Sequence, residues 1–329
     1  MSEGPDSGPG MSTSASKHPR HPNQRELASL PPELRRTTVP PAVRAWVERN
    51  AGVRVVRVRR LAGASSSAVH GLYGADGTRL VLRRYVWPGF LTDEPVAPRR
   101  EVDALRFGAM HGLPVPDVVA ADTSGVDIGD GVPALLMGFV PGRAVAAPDV
   151  RRLAEVAAAI HAVDPVGFGH DYFPWFTGTT VAPPPASRWP RLWETAIGLW
   201  HDAVPPYAPT FVHRDFHPGN VLWARGRLSG VVDWANACAG PRGCDVATCR
   251  ANLADLAGDR AADDFRAAYE ALTGEAFHPY WDMACILENG PSFWTPAQVA
   301  ASEPDLARAV AAQVALPPAP GPNLRRSMP

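Results

Sequence analysis

The sequence predicts an α+β fold in two lobes, a small antiparallel-sheet lobe followed by a larger, mainly helical one. Three observations carry the prediction. From Arg54 to Tyr85, short runs of alternating apolar and polar residues are bounded by turn residues, the pattern of strands and hairpins. After Ala147, apolar residues recur at helical spacing in Ala-rich stretches. Between them, two short apolar runs, Asn220 to Trp223 and Leu228 to Val232, flank Ala224-Arg225-Gly226-Arg227 and read as strand, turn and strand.

Residues 1–40, rich in Pro, Ser, Gly and His, are expected to be disordered, as is the tail 317–329. The sheet lobe is assigned to 41–140 and the helical lobe to 141–316. The first strand is Arg54 to Arg60, where Val55, Val56 and Val58 are set among arginines. A small-residue loop, Leu61 to Ser67, leads to a second strand, Ala68 to Tyr73. An Ala75-Asp76-Gly77 turn then gives a third, Leu80 to Tyr85. Glu101 opens a short helical pattern, and Pro133 to Gly142 is an apolar strand running into a Pro/Gly stop. Helices are expected over Ala147–Val163, Pro190–His201 and Asp245–Leu272.

The segment His213-Arg214-Asp215-Phe216-His217-Pro218-Gly219-Asn220, followed by Asp233 at the end of Gly230-Val231-Val232-Asp233, carries the chemistry. An Asp on a fixed loop can accept a hydroxyl proton. An Asn five residues on can reach a Mg²⁺, and a second Asp after a hairpin can hold ions that bridge nucleotide phosphates. Phosphoryl transfer needs little more, because its transition state asks mainly for positioning and charge neutralisation.

At these residues the chain resembles the aminoglycoside phosphotransferase and choline kinase family, whose fold is protein-kinase-like. The resemblance covers about residues 53 to 295 and is dense in the catalytic loop and hairpin. It implies Asp215 as the catalytic base or acceptor-orienting residue, Asn220 and Asp233 as Mg²⁺ ligands, and ATP as the phosphoryl donor. It also implies that Asp245, in Gly240-Pro241-Arg242-Gly243-Cys244-Asp245, braces the catalytic loop. The acidic residue that usually follows that Gly is absent here.

The sheet lobe should then bind the nucleotide. Small residues let backbone N–H groups approach phosphate, and the Ser65, Ser66 and Ser67 hydroxyls can add donors, although the loop lacks G-x-G-x-x-G. The only lysine is Lys17, so no P-loop lysine and no third-strand lysine is possible. Arg83 stands at the matching place on the third strand, with a permanent charge and a donor fork. Glu101 is expected to pair with it. The resemblance makes Pro133 to Gly142 the hinge, with the Gly138 carbonyl and the Val140 N–H facing adenine.

The acceptor is expected to be a small molecule with a hydroxyl group. Tyr280, Trp281, Asp282, Glu288 and Trp294 mix rings with carboxylates and would suit a cationic or sugar-like acceptor. Three other readings compete. A protein kinase is disfavoured because Trp234-Ala235-Asn236 follows Asp233, only seven residues separate Asp233 from Pro241, and no A-P-E is present. A non-catalytic nucleotide-binding module is invited by the missing lysine. A metal-dependent hydrolase could use His213, Asp215 and His217, but no later His cluster completes a site.

With 329 residues, 46% apolar content and a net charge of -1, there is no electrostatic case for nucleic acid. No apolar run reaches the length of a membrane span and the N-terminus lacks a signal-peptide core, so a cytoplasmic location is expected. Cys238, Cys244, Cys249 and Cys285 are spaced unlike metal or disulfide pairs and are expected as buried free thiols. Composition does not determine the oligomeric state.

Overall fold

The computed structural model describes residues 37–61, 67–145, 149–174, 181–291 and 294–316. Ser65, Ser66, the tail 317–329 and all but the end of the expected N-terminal tail lie outside these residues. In chain order the sheet lobe comprises α1 (Pro41–Ala51), β1 (Val55–Arg60), β2 (Ala68–Gly74), β3 (Arg79–Arg84), α2 (Pro88–Asp93), α3 (Ala97–Met110), β4 (Val118–Asp122) and β5 (Ala134–Gly138). The helical lobe comprises α4 (Val150–His161), α5 (Pro190–Asp202), β6 (Thr210–Val212), β7 (Val221–Ala224), β8 (Arg227–Val231), β9 (Cys238–Gly240), α6 (Arg242–Ala257), α7 (Asp259–Thr273), α8 (Tyr280–Glu288) and α9 (Pro296–Val314).

The five strands of the first lobe form one antiparallel sheet in the order β1-β2-β3-β5-β4. Strand alternation divides their side chains between two cores. Leu80, Leu82 and Leu136 pack with Val43, Trp46 and Val47 of α1. Leu135 and Met137 turn the other way, joining Val102 and Leu105 of α3 in a core that continues through Phe211 and Trp234 into the helical lobe. Arg83 alternates with Leu82 and so projects from the second face, towards the cleft between the lobes. A separate core of Trp193, Trp200, Trp281, Met283 and Leu306 joins α5, α8 and α9.

Two expectations need correction. The single helix expected over Asp245–Leu272 is two helices, because Gly258 adopts φ 88, a conformation that ends a helix cheaply only for glycine. The strand β4 was not foreseen. The expected helix from Ala147 is described from Val150, where the Asp149 carboxylate caps the N–H groups of Arg151 and Arg152. Among the described residues no helix is long and apolar enough to cross a membrane. All four cysteines are free thiols; Cys238 and Cys249 are buried, while Cys244 and Cys285 are half-buried.

Candidate active site

The catalytic loop starts at the end of β6, which pairs with β9 so that Val212 lies opposite Cys238. This pairing brings the loop to the N-terminus of α6, where Asp245 is fully buried. Its carboxylate accepts hydrogen bonds from the backbone N–H groups of His213 (2.8 Å) and Arg214 (2.5 Å). Those two bonds hold Arg214 at φ 63, a left-handed conformation unusual for a residue with a β-carbon. His161 of α4 supports the same carboxylate through Nε2 at 3.1 Å, and its Nδ1 lies 2.7 Å from the Tyr269 hydroxyl. Asp245 is therefore placed as the loop brace that the sequence suggested.

Asp215 follows the left-handed turn. Its N–H meets His213 Nδ1 at 3.2 Å, and Asn220 Nδ2 donates to its carbonyl at 2.9 Å and stands 3.4 Å from its carboxylate. The side chain keeps 38% of its surface open. Burial raises the Asp215 carboxyl above the usual range, and the nearby Asp233 and Asp245 charges add to the effect. The hairpin β7–β8 returns the chain to the same place: the Val232 N–H donates to the Asn220 carbonyl at 2.9 Å, and His213 Nε2 lies 2.9 Å from the Val232 carbonyl. Asp233 comes next, at φ 69.

Asp233 faces the sheet lobe. Arg83 Nη1 donates to its Oδ1 at 2.5 Å and to Glu101 Oε1 at 2.9 Å, so one guanidinium joins β3, α3 and the hairpin end. Burial would raise the Asp233 carboxyl, but Arg83 overrides it and holds the group below the usual range. Glu101 is raised by burial against the pull of Arg83, and it also accepts from the Tyr85 hydroxyl. The structure thus brings together Asp215, Asn220, Asp233, Arg83 and Glu101.

Other expected nucleotide contacts are placed less tightly. Ser67 is buried, and the strand register puts it on the sheet face of Val69 and Arg83. Its Oγ and the Arg83 Nε are buried without a hydrogen-bond partner among the described residues. At the hinge, the Gly138 N–H is spent on the Asp117 carbonyl at 2.8 Å. Val140 is half-buried and packs so closely on Gly230 that a β-carbon there would lie 2.8 Å from Val140 Cγ1. Gly230 is needed for that approach.

The five expected acceptor residues separate. Trp281 and Glu288 line a cavity of about 140 Å³ that opens onto Asp215. Tyr280 is buried with its hydroxyl donating to the Trp200 carbonyl, Asp282 pairs with Arg250 at 3.2 Å, and Trp294 donates to the Asn289 carbonyl. None of the three lines the cavity: α8 turns Tyr280 and Asp282 away from it, and Trp294, which lies before α9, sets its ring edge-on to Trp193. Glu288 is not a free carboxylate either: Arg214 lies 3.2 Å from one oxygen and the Tyr172 hydroxyl 2.5 Å from the other.

Sequence reasoning missed Arg100. From α3 it donates to the Ala235 carbonyl (3.2 Å) and to Glu94 (3.0 Å), tying the helix of Glu101 to the segment after Asp233. The Phe173 ring lies between the Arg100 and Arg214 guanidinium groups, at 4.8 and 4.4 Å from its centroid. Nothing in the local pattern at Arg99-Arg100 distinguishes the buried arginine from its exposed neighbour.

A Tyr85–Glu101–Arg83–Asp233 chain thus stands beside a braced Asp215–Asn220 loop in the cleft between the lobes. Residues 57–284 match the model of the phosphotransferase enzyme family. A homoserine kinase of Mesorhizobium japonicum is 28% identical over 155 residues, 41% of this chain and 46% of that protein, so the match spans about half the relative's length. An aminoglycoside-3'-phosphotransferase of type VIII superposes with a TM-score of 0.54 at 22% identity, covering 75% of this chain and 97% of the other. A thermostable aminoglycoside phosphotransferase in ternary complex with AMP-PNP and hygromycin B gives 0.53 at 19% identity, over 84% and 100%. With more than half of its length matched by that family model and the protein-kinase-like fold shared with these structures, the chain belongs to the phosphotransferase enzyme family.

Proposed function

We propose that the protein transfers the γ-phosphoryl group of ATP to a hydroxyl group of a small molecule. The observation that carries this reading is the convergence of Arg83, Glu101 and Asp233 on one side of Asp215, with an acceptor-sized cavity on the other. Asp215 orients the attacking hydroxyl and takes its proton through the carboxylate, which remains open to the cavity. Arg83 and Ser67 hold the nucleotide phosphates; their buried, unpartnered Nε and Oγ are the donors a phosphate would satisfy. Glu101 keeps Arg83 aimed, and the hinge around Gly138 and Val140 receives the base. The same reading extends to Ser65 and Ser66.

The site fits Mg²⁺. Asn220 and Asp233 offer hard oxygen donors, and because the Asn220 amide nitrogen is engaged with Asp215, its oxygen is the atom available to ligate. When bound, the ion neutralises phosphate charge. The hydrolase alternative gains nothing from the geometry, because both His213 ring nitrogens lie against backbone groups and His217 Nδ1 accepts from the Gly219 N–H. The test is Mg²⁺-dependent, acceptor-stimulated ATP turnover in the wild type and in Asp215→Asn. The reading requires turnover to fall at least about a hundredfold while AMP-PNP binding persists. Wild-type turnover in the variant would refute it.

A further inference from the structure

We propose that the acceptor is a small alcohol carrying at most one positive charge and that polycationic amino sugars are excluded, a proposal that rests on the phosphoryl-transfer reading above. Size is the first argument. The space next to Asp215 is about 140 Å³, too little for a multi-ring sugar to bury more than one edge.

Charge is the second. Among the described residues the charged groups lining the cavity are Arg214, Asp215 and Glu288. Arg214 and Glu288 neutralise each other at 3.2 Å, and the Tyr172 hydroxyl occupies the remaining Glu288 oxygen at 2.5 Å. Asp282, the other carboxylate of α8, is held by Arg250 through bonds of 3.2 and 3.3 Å and belongs to the opposite side of the helix. Asp215, with the His217 ring 3.7 Å from its Oδ1, is then the one lining acid without an arginine partner. Several ammonium groups entering such a site would be desolvated without partners, a cost that rises steeply with each charge. The uncharged polar lining, Asn236, Thr248 and Asn289, suits a compact hydroxylated molecule.

The wall is also fixed, so the cavity cannot simply widen. The Trp281 indole lies on Gly243, where a β-carbon would come within 2.1 Å of its Cδ1. Edge-on contacts from Tyr280, Tyr207 and Tyr172, with ring centroids 4.9, 6.0 and 6.3 Å from that of Trp281, hold it from three other directions. Close packing of this kind leaves a ring no alternative rotamer without moving its neighbours.

The full chain with Mg²⁺ and ATP is to be offered homoserine, ethanolamine, choline and simple monosaccharides beside kanamycin and hygromycin B, with phosphorylated product read by mass spectrometry. Calorimetry with Mg·AMP-PNP runs in parallel. The expected result is kcat/KM at least about a hundredfold higher for one or more of the small alcohols than for either aminoglycoside. In Trp281→Leu, which removes the indole without adding a charge, the aminoglycoside kcat/KM should rise relative to that of the small alcohols and the gap narrow. Turnover of an aminoglycoside comparable to the small alcohols overturns the proposal and leaves phosphoryl transfer standing. So does bound nucleotide with no small alcohol turned over. Failure to bind Mg·AMP-PNP overturns the parent reading itself. Should Trp281→Leu fail to fold, the wild-type panel alone decides.

Discussion

The proposed nucleotide side and the proposed acceptor side of the cleft are built by different rules. On the first the chemistry rests on backbone: the Val232 N–H docks on the Asn220 carbonyl, and Asp245 holds two consecutive N–H groups of the loop that leads into both sides. Asp233 then follows at a fixed left-handed turn. On the acceptor side, side chains from the catalytic loop, α6 and α8 meet without a shared backbone scaffold, and Tyr172 reaches Glu288 from a loop. The first arrangement can hardly vary without loss of geometry. The second can change one side chain at a time, which is how one fold serves many acceptors.

If that contrast is correct, the largest effect comes from breaking the brace. Asp245→Asn presents an amide NH₂ group where two N–H donors and His161 need acceptors. It should cost about 2 kcal/mol or more in denaturant unfolding and abolish most turnover, because Arg214 loses what holds its strained turn. Unchanged stability and activity would show that the loop is rigid without it. Arg83→Ala comes next. It should raise KM for ATP and lower kcat, while Arg83→Lys retains part of the activity as a point charge without the fork. Glu101→Ala should be milder, and combining it with Arg83→Ala should cost less than the sum of the two, since both act through one contact of 2.9 Å. Additive effects would place the phosphate clamp elsewhere.

Smaller and more local effects are expected on the acceptor side. Gly243→Ala pushes a β-carbon into Trp281; because the ring is clamped it should cost stability and raise the acceptor KM, while leaving the KM for ATP within about twofold. Equal damage to both constants would mean that the two sides are not separable. Arg100→Met should produce the smallest effect, a modest rise in the Mg²⁺ concentration needed for half-maximal activity. It loses the bonds to Ala235 and Glu94 and leaves that carboxylate without its partner, so the small effect on activity should come with a clear loss of stability in denaturant unfolding.

The same contrast explains what could be read before the structure was known. Asp215, Asn220 and Asp233 lie within twenty residues and are joined by a hairpin, so sequence spacing alone brings them together. Arg83 and Glu101 were legible because the family resemblance implies a third-strand cation paired with a helix acid, and the strand pattern Leu80 to Tyr85 puts Arg83 at that place. The strand Val118-Val119-Ala120-Ala121-Asp122 offered no alternation to detect, with Val119 exposed at the sheet edge. Gly258 lies inside an Ala-rich run that reads as continuous helix, and its φ of 88, which the local pattern does not record, is what divides it. The acceptor cavity was hidden for a different reason. Whether Glu288 is a free acid or half of an ion pair depends on Arg214, 74 positions earlier in the chain, and no local pattern records that pairing.

In the proposed reaction two aspartates on one hairpin-bound loop system divide the labour: Asp215 serves the acceptor and Asp233 the metal-bound nucleotide. Isothermal calorimetry of Mg·AMP-PNP binding to Asp215→Asn and Asp233→Ala, run side by side with wild type, tests it most directly. The account predicts near-wild-type affinity for Asp215→Asn and at least about a tenfold loss for Asp233→Ala, from the missing carboxylate ligand. Unchanged affinity in Asp233→Ala, or an equal loss in both variants, would contradict it.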